Sequence, residues 1–173
     1  PRSSEPPMAV RAGRMTDIRI VSYRRDLAPA FQRLNLAWIE RLFVVEDADR
    51  KVLGDPERSI ITPGGQILFA LDGDEAIGTV AMVRYTAARY ELAKMAVEPS
   101  HQGRGIGQML GATAIAFARD TGARTVFLHT SSRLAGAIRL YERLGFRHGV
   151  DPDPPEYARA DVYMELPIGR MAS

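Results

Sequence analysis

The chain contains no cysteine. This excludes disulfides, thiolate zinc sites and a cysteine nucleophile, so a group transfer is expected to be direct rather than through a cysteinyl intermediate. No apolar run approaches the roughly 18 residues of a membrane span. The first residues also lack the apolar centre of a secretion leader, so the expectation is a cytoplasmic location and no membrane partner. Neither sign of charge dominates: 23 Lys and Arg stand against 21 Asp and Glu, for a net charge of +2. These charges are spread rather than clustered, and nothing in them points to nucleic acid. The 3 histidines are scattered. None has a His-x-x-x-His spacing or a carboxylate at ligand spacing, so no metal is expected. There is no internal repeat.

What remains is ordinary globular material. Of 173 residues, 46% are hydrophobic and 25% charged, the balance of a soluble domain with enough chain for a sizeable core. Residues 1–16 carry prolines, serines and arginines without periodicity and read as a disordered tail. Residues 17–168 read as one domain and 169–173 as a short C-terminal tail. Position 1 is Pro, which suggests a trimmed start, with Met8 and Met15 as candidate native ones.

Taken in order, Ile18 to Tyr23 alternates as a strand. Asp26 can cap a helix in which Leu27, Phe31, Leu34, Trp38 and Leu42 recur at helical spacing, with Pro29 harmless in its first turn. A shorter helix is expected over Glu46 to Leu53, acidic at its start. Gln66 to Leu71 and Ala76 to Tyr85 form a hairpin around Asp72-Gly73-Asp74-Glu75. A strand over Glu91 to Val97 follows. Then comes a helix whose buried stripe is Ile106, Met109, Leu110, Ala114 and Phe117, ending near Thr121-Gly122. Thr125 to His129 reads as a central, partly parallel strand. A helix from Leu134 to Leu144, a proline-rich connection over 151–155 and a last strand from Ala160 to Leu166 complete the chain. The order β-α-α-β-β-β-α-β-α-β specifies an α/β fold with a mixed sheet.

Between the strand at Glu91 and the following helix lies Glu98-Pro99-Ser100-His101-Gln102-Gly103-Arg104-Gly105-Ile106-Gly107. Pro99 stops the strand because it has no N–H, and the glycines remove side chains that would hold a ligand off the backbone. The helix then offers its unpaired N-terminal amides and the positive end of its dipole, which makes a seat for a phosphate or pyrophosphate. A P-loop would need Lys followed by Ser or Thr after the last Gly, but Gln108-Met109 stands there. A dinucleotide fingerprint would need the third Gly one residue later and an acid ending the next strand, which ends in His129-Thr130.

The pattern Gln-x-x-Gly-x-Gly, after a strand ending Met-Ala-Val-Glu-Pro, resembles the acyl-CoA-binding motif of the GNAT superfamily of N-acyltransferases. A second resemblance lies at Ala137-Ile138-Arg139-Leu140-Tyr141-Glu142-Arg143-Leu144-Gly145-Phe146. Family members commonly read Asn-x-x-Ala-x-x-Leu-Tyr-x-x-x-Gly-Phe there. All but the Asn is matched, and Leu134 takes its place, which removes one polar contact to the pantetheine arm. The resemblance as a whole covers roughly residues 66–166.

The resemblance implies a mixed, mostly antiparallel central sheet flanked by helices, and acetyl-CoA as co-substrate. It implies coenzyme contacts from Met95, Ala96, Val97, Gln102, Gly103, Arg104, Gly105, Ile106, Gly107 and Tyr141. It also implies transfer of an acetyl group directly to a primary amine of a small molecule or peptide. Many family members are dimers, so a homodimer is an open expectation. The reading from another class is a noncatalytic acyl-CoA-binding module, which would need neither of two further residues. Glu91 starts the strand that ends at the loop, and six residues at about 3.3 Å place it about 20 Å away, the reach of a pantetheine arm. In the family a glutamate there can act as base; an ordinary carboxylate is a poor base for an ammonium, so the role requires burial or a water. Tyr141 would give its proton to the leaving thiolate, and a strand amide near Met95, where two parallel strands splay, would hold the oxyanion.

His129 is the alternative base, while His101 and His148 read as surface residues. Arg104 can screen a phosphate, whereas Arg139 and Arg143 read as solvated. Trp38, Glu40, Phe43, Glu46 and Asp47 are weaker candidates for acceptor contacts. For these the competing readings are core packing for Trp38 and a solvated face for the acids.

Overall fold

The computed structural model describes residues 17–169. The expected N-terminal tail and residues 170–173 of the C-terminal one lie outside that range. The elements are β1 (Ile18–Ser22), α1 (Ala28–Leu42), α2 (Asp47–Gly54), β2 (Gln66–Asp72), β3 (Glu75–Arg84), β4 (Arg89–Val97), α3 (Ile106–Asp120), β5 (Thr125–Thr130), α4 (Ala135–Leu144), β6 (Arg147–His148) and β7 (Val162–Pro167). They build one sheet in the order β1-β2-β3-β4-β5-β7-β6. Every neighbouring pair is antiparallel except β4 with β5. The expected element order is met, with β6 in addition. That two-residue strand is exposed and defined only by its pairing with β7, so no alternation announces it.

The sheet is buried on both faces. Along β2, Ile67, Phe69 and Leu71 point to a core shared with Phe31, Ile39 and Leu53 of α1 and α2. Leu68 and Ala70 point the other way, to a core shared with Ile106, Leu110 and Ala114 of α3. Period-two alternation between two apolar layers explains why β2 and β3 read as nearly unbroken hydrophobic runs.

Three local expectations change. Asp26 does not cap α1: its carboxylate takes the Arg24 guanidinium at 3.1 Å, and α1 starts after a 3₁₀ turn at Arg25–Leu27. Met109 is exposed and Phe117 only partly buried, so the stripe of α3 runs instead through Ile106, Leu110, Gly111, Ala114, Ile115 and Ala118. Small residues on that stripe let α3 lie close to its neighbours. A Cβ built at Gly111 would sit 2.5 Å from Leu144 of α4, a contact that hydropathy periodicity does not reveal. Finally, α2 begins at Asp47 with Glu46 as its N-cap. The Asp49 carboxylate accepts the Glu46 amide at 2.9 Å, a capping box that accounts for the acids at this end.

No described helix is long and apolar enough to cross a membrane.

Candidate active site

The glycine loop is built by backbone conformation. Gly103 and Gly105 have φ of 78° and 79°, the left-handed region that penalises any side chain, and a Cβ at either would meet open space. The Gln102 side-chain amide donates to the Val97 carbonyl at 3.0 Å and ties the loop to the end of β4. With the chain so turned, the amides of Gly103 through Gln108 find no acceptor among the described residues. This is a row of donors at a helix N-terminus, suited to an anion. Gly107 has a further reason for being glycine: its Cβ would lie 2.9 Å from Leu140, so the missing side chain admits α4 while the backbone still lines the cleft. The side chain of Arg104 is exposed and does not line the cleft.

Beside the loop the sheet forks. β4 and β5 pair only at Arg89↔Thr125, Tyr90↔Val126 and Glu91↔Phe127. Beyond Glu91 both strands continue, but apart, so residues 92–97 have no strand partner on that side. The register of β3 with β4 also shifts between Thr79 and Ala81, opposite Lys94, a non-glycine residue held at φ 53°. A cleft of about 990 Å³ opens at the fork, bounded by Met95, Ala96 and Val97, by the loop, and by Leu140 and Tyr141 of α4. Its size is that of a ligand site. The buried Oε1 of Gln108, on the cleft wall, has no hydrogen-bond donor among the described residues. Bare amides and an orphaned acceptor together fit a ligand with a diphosphate and amide or amino N–H groups.

At the closed end of the fork stands Glu91. Its Oε1 is 3.8 Å from Nδ1 of His129, whose Nε2 lies 2.7 Å from the Asp151 carboxylate. The Glu91 carboxylate, together with Asp151 and against the effect of partial burial, raises the imidazole above its ordinary pKa. Tyr141 lines the same cleft, its ring edge-on to Phe146 at 6.1 Å. Its hydroxyl makes no hydrogen bond among the described residues, and burial pushes its pKa up to about 12. The expected site residues therefore converge on one cleft, with Arg104 outside it.

The outer wall carries Lys94, Tyr157 and Arg159, backed by Asp49 and Glu46, and of these the sequence singled out only Glu46. Asp49, fully buried, receives Lys94 at 2.8 Å and both terminal nitrogens of Arg159 at 2.9 and 2.7 Å. Glu46 takes Arg159 at 3.3 Å and the Ala158 amide at 3.2 Å, and the Tyr157 hydroxyl meets Lys94 at 2.9 Å. Two carboxylates and two cations balance one another. Burial alone would raise the Asp49 carboxyl, but the hydrogen bonds from Arg159 and Lys94 outweigh it and hold the group well below the usual carboxylate range. Burial draws the Lys94 ammonium down and pushes the Tyr157 phenol up.

Of the expected acceptor-side residues, Trp38 lines the cleft, with Phe43 edge-on to it at 6.1 Å and Arg133 stacked over Phe43 at 4.8 Å. Glu46 is in the ionic cluster rather than on a solvated face. Glu40 and Asp47 are exposed and off the cleft wall. His101 is not a surface residue: it is mostly covered, bonded to Ser100 and Asp72, and touches the cleft. Among the described residues no group of three or more His, Cys, Asp and Glu could hold a metal.

The sequence profile of the Acetyltransferase (GNAT) family matches residues 32–146, well over half of the chain. The rat N-acetyltransferase 8F1 (Rattus norvegicus) is 31% identical over 103 residues, 57% of this chain and 47% of that protein. The chain thus spans about half the length of this curated relative. An acetyltransferase of the GNAT family from Staphylococcus aureus Mu50 superposes with a TM-score of 0.80 at 20% identity, covering 87% of this chain and 99% of that one. The protein yncA from Salmonella typhimurium, solved with its cofactor acetyl-CoA, has a TM-score of 0.72 at 19% identity, covering 91% and 97%.

Proposed function

The chain belongs to the acetyltransferase (GNAT) family, and from that premise we propose that it is an N-acetyltransferase carrying an acetyl group from acetyl-CoA directly to a primary amine of a small molecule or peptide. The observation that carries this reading is one continuous cleft with a row of bare amides at one end and Glu91 at the other. The amides of Gly103 through Gln108 hold the diphosphate, and the unpaired edge of Met95, Ala96 and Val97 receives the pantetheine arm. Solved relatives holding acetyl-CoA support this choice of co-substrate.

Glu91 takes a proton from the acceptor ammonium, and the freed nitrogen lone pair forms the C–N bond at the thioester carbon. A β4 amide near Met95, beside the bulge at Lys94, holds the oxyanion. As the C–S bond breaks, Tyr141 hydrogen-bonds the developing thiolate, passes it the phenolic proton and regains one from the acylated nitrogen, which sheds its second proton to become the neutral amide. At about 12 its pKa keeps the phenol protonated throughout the working range, which also makes it a reluctant acid. The apolar surroundings that penalise a phenolate also penalise the thiolate, so transfer within the same wall is less uphill than in water. No side chain is acylated.

Isothermal titration with acetyl-CoA, followed by a thiol-release screen over amines, tests the reading. Glu91→Gln should lower turnover by about 100-fold and Tyr141→Phe by about ten-fold, each with coenzyme affinity nearly intact. Tight coenzyme binding with no amine accepted would overturn the catalytic reading, and an unchanged rate in either variant would remove that residue from the mechanism.

A further inference from the structure

We propose that Asp151 and His129 form a dyad that relieves Glu91 of the acceptor's proton, an inference that rests on Glu91 being the base. Asp151 lies 22 residues beyond His129, in the proline-rich connection, yet its Oδ2 stands 2.7 Å from Nε2 of the imidazole. A carboxylate only accepts, so it fixes the proton on Nε2 and leaves the Nδ1 lone pair free. Nδ1 is the nitrogen 3.8 Å from Glu91 Oε1. One water, or a small rotation of either side chain, closes that gap. Both partners are largely shielded, with side chains 16% and 23% exposed, so the pair is part of the wall rather than a surface encounter.

The proton accounting is simple. Glu91 takes one proton from the ammonium and becomes a carboxylic acid. It passes that proton to Nδ1 of neutral His129, and the imidazolium is held by Asp151, which is not itself protonated. When the products leave, Nδ1 returns the proton to water entering the cleft. His129 and Asp151 act through Glu91 and are positioning, proton-carrying residues. The groups facing the ring are Glu91 from β4, Asp151 from the connection, and Tyr163 from β7, whose ring is 5.6 Å away. The Tyr163 hydroxyl is occupied by Arg89 and Glu165. On its own strand His129 meets the Phe127 ring at 5.8 Å.

The test measures kcat from pH 5 to pH 9 at saturating acetyl-CoA for the wild type, D151N, H129Q and E91Q. Neutral His129 is the receiving form, so wild-type kcat should rise with pH along a limb set above the ordinary imidazole value of about 6.5. D151N should lower kcat about ten-fold and move the limb to lower pH; H129Q should lower kcat similarly and abolish the limb. Imidazole ¹⁵N shifts of the wild type should report the Nε2–H form above the limb, a readout that needs no variant to fold. The Nδ1–H form in the wild type, or a fall in kcat with the limb unmoved, would overturn the dyad. Wild-type behaviour of D151N and H129Q beside a collapsed E91Q would also overturn it while leaving Glu91 as base. Wild-type turnover in E91Q would overturn the underlying reading of Glu91 instead.

Discussion

The two ends of the cleft are built from different materials. At the end we assign to the coenzyme the groups on offer are main-chain amides, from Gly103 to Gln108, aimed by two left-handed glycines within one short loop. At the opposite end they are side chains gathered from α2, β4, β5 and the connection before β7: Asp49, Glu91, Lys94, His129, Asp151 and Arg159. A main-chain seat is tolerant, since any residue supplies an amide and only the turn must be kept. A side-chain cluster is not, because each charge there depends on a partner contributed by another segment.

That contrast can be broken most forcefully at Asp49. Replacing it by Ala leaves Lys94 and Arg159 without their shared carboxylate and should cost about 3–5 kcal/mol in urea unfolding. A loss below about 1 kcal/mol would mean that Glu46 and water suffice. The pH dependence has a definite sign. The native Asp49 carboxyl is depressed below its unfolded value, so its contribution is present above about pH 4 and is lost as pH falls through the lower native pKa. A smaller effect is expected at the other end: Gly105→Val forces a β-branched residue to φ 79°. It should weaken acetyl-CoA binding about ten-fold, consistent with about 1–2 kcal/mol of left-handed strain, with acceptor KM unmoved. Calorimetry and steady-state kinetics would separate the two constants. The smallest is Arg104→Ala, which removes an exposed charge off the cleft wall and should change coenzyme affinity less than about two-fold. A ten-fold loss there would show that the loop is not a purely main-chain device.

The same contrast governs what the sequence reveals by itself. The glycine loop was legible because its information is local: Pro99, Gly103 and Gly105 specify a backbone path within seven residues. Glu91 and Tyr141 were legible only through their offsets from that loop and from Gly145-Phe146. Asp49, Lys94 and Arg159 were not, since their spacing along the chain carries no period and their meaning arises only when α2 and the connection meet β4. A trace existed in Glu46 and Asp49, three apart as in a capping box, but that pattern predicts a helix start and not a buried ionic cluster. The glycine spacing does not reveal that Gly107 also lacks a side chain for the sake of Leu140 on α4, because a period cannot tell an open backbone from a close helix crossing. Asp26 has the composition of a cap but does not act as one because the neighbouring Arg24 takes its carboxylate, a contest that propensity rules do not contain.

The parting of β4 from β5 after three paired positions has a thermodynamic consequence. Each rung not made there forgoes on the order of 1 kcal/mol of ladder hydrogen bonding, a standing cost that every folded molecule carries through its lifetime. In return, the donors along that seam are already oriented for the thioester we propose, and little rearrangement would have to be driven by its binding. Under the proposed function, the sheet is weakened in its middle so that catalysis can begin from a preorganised surface.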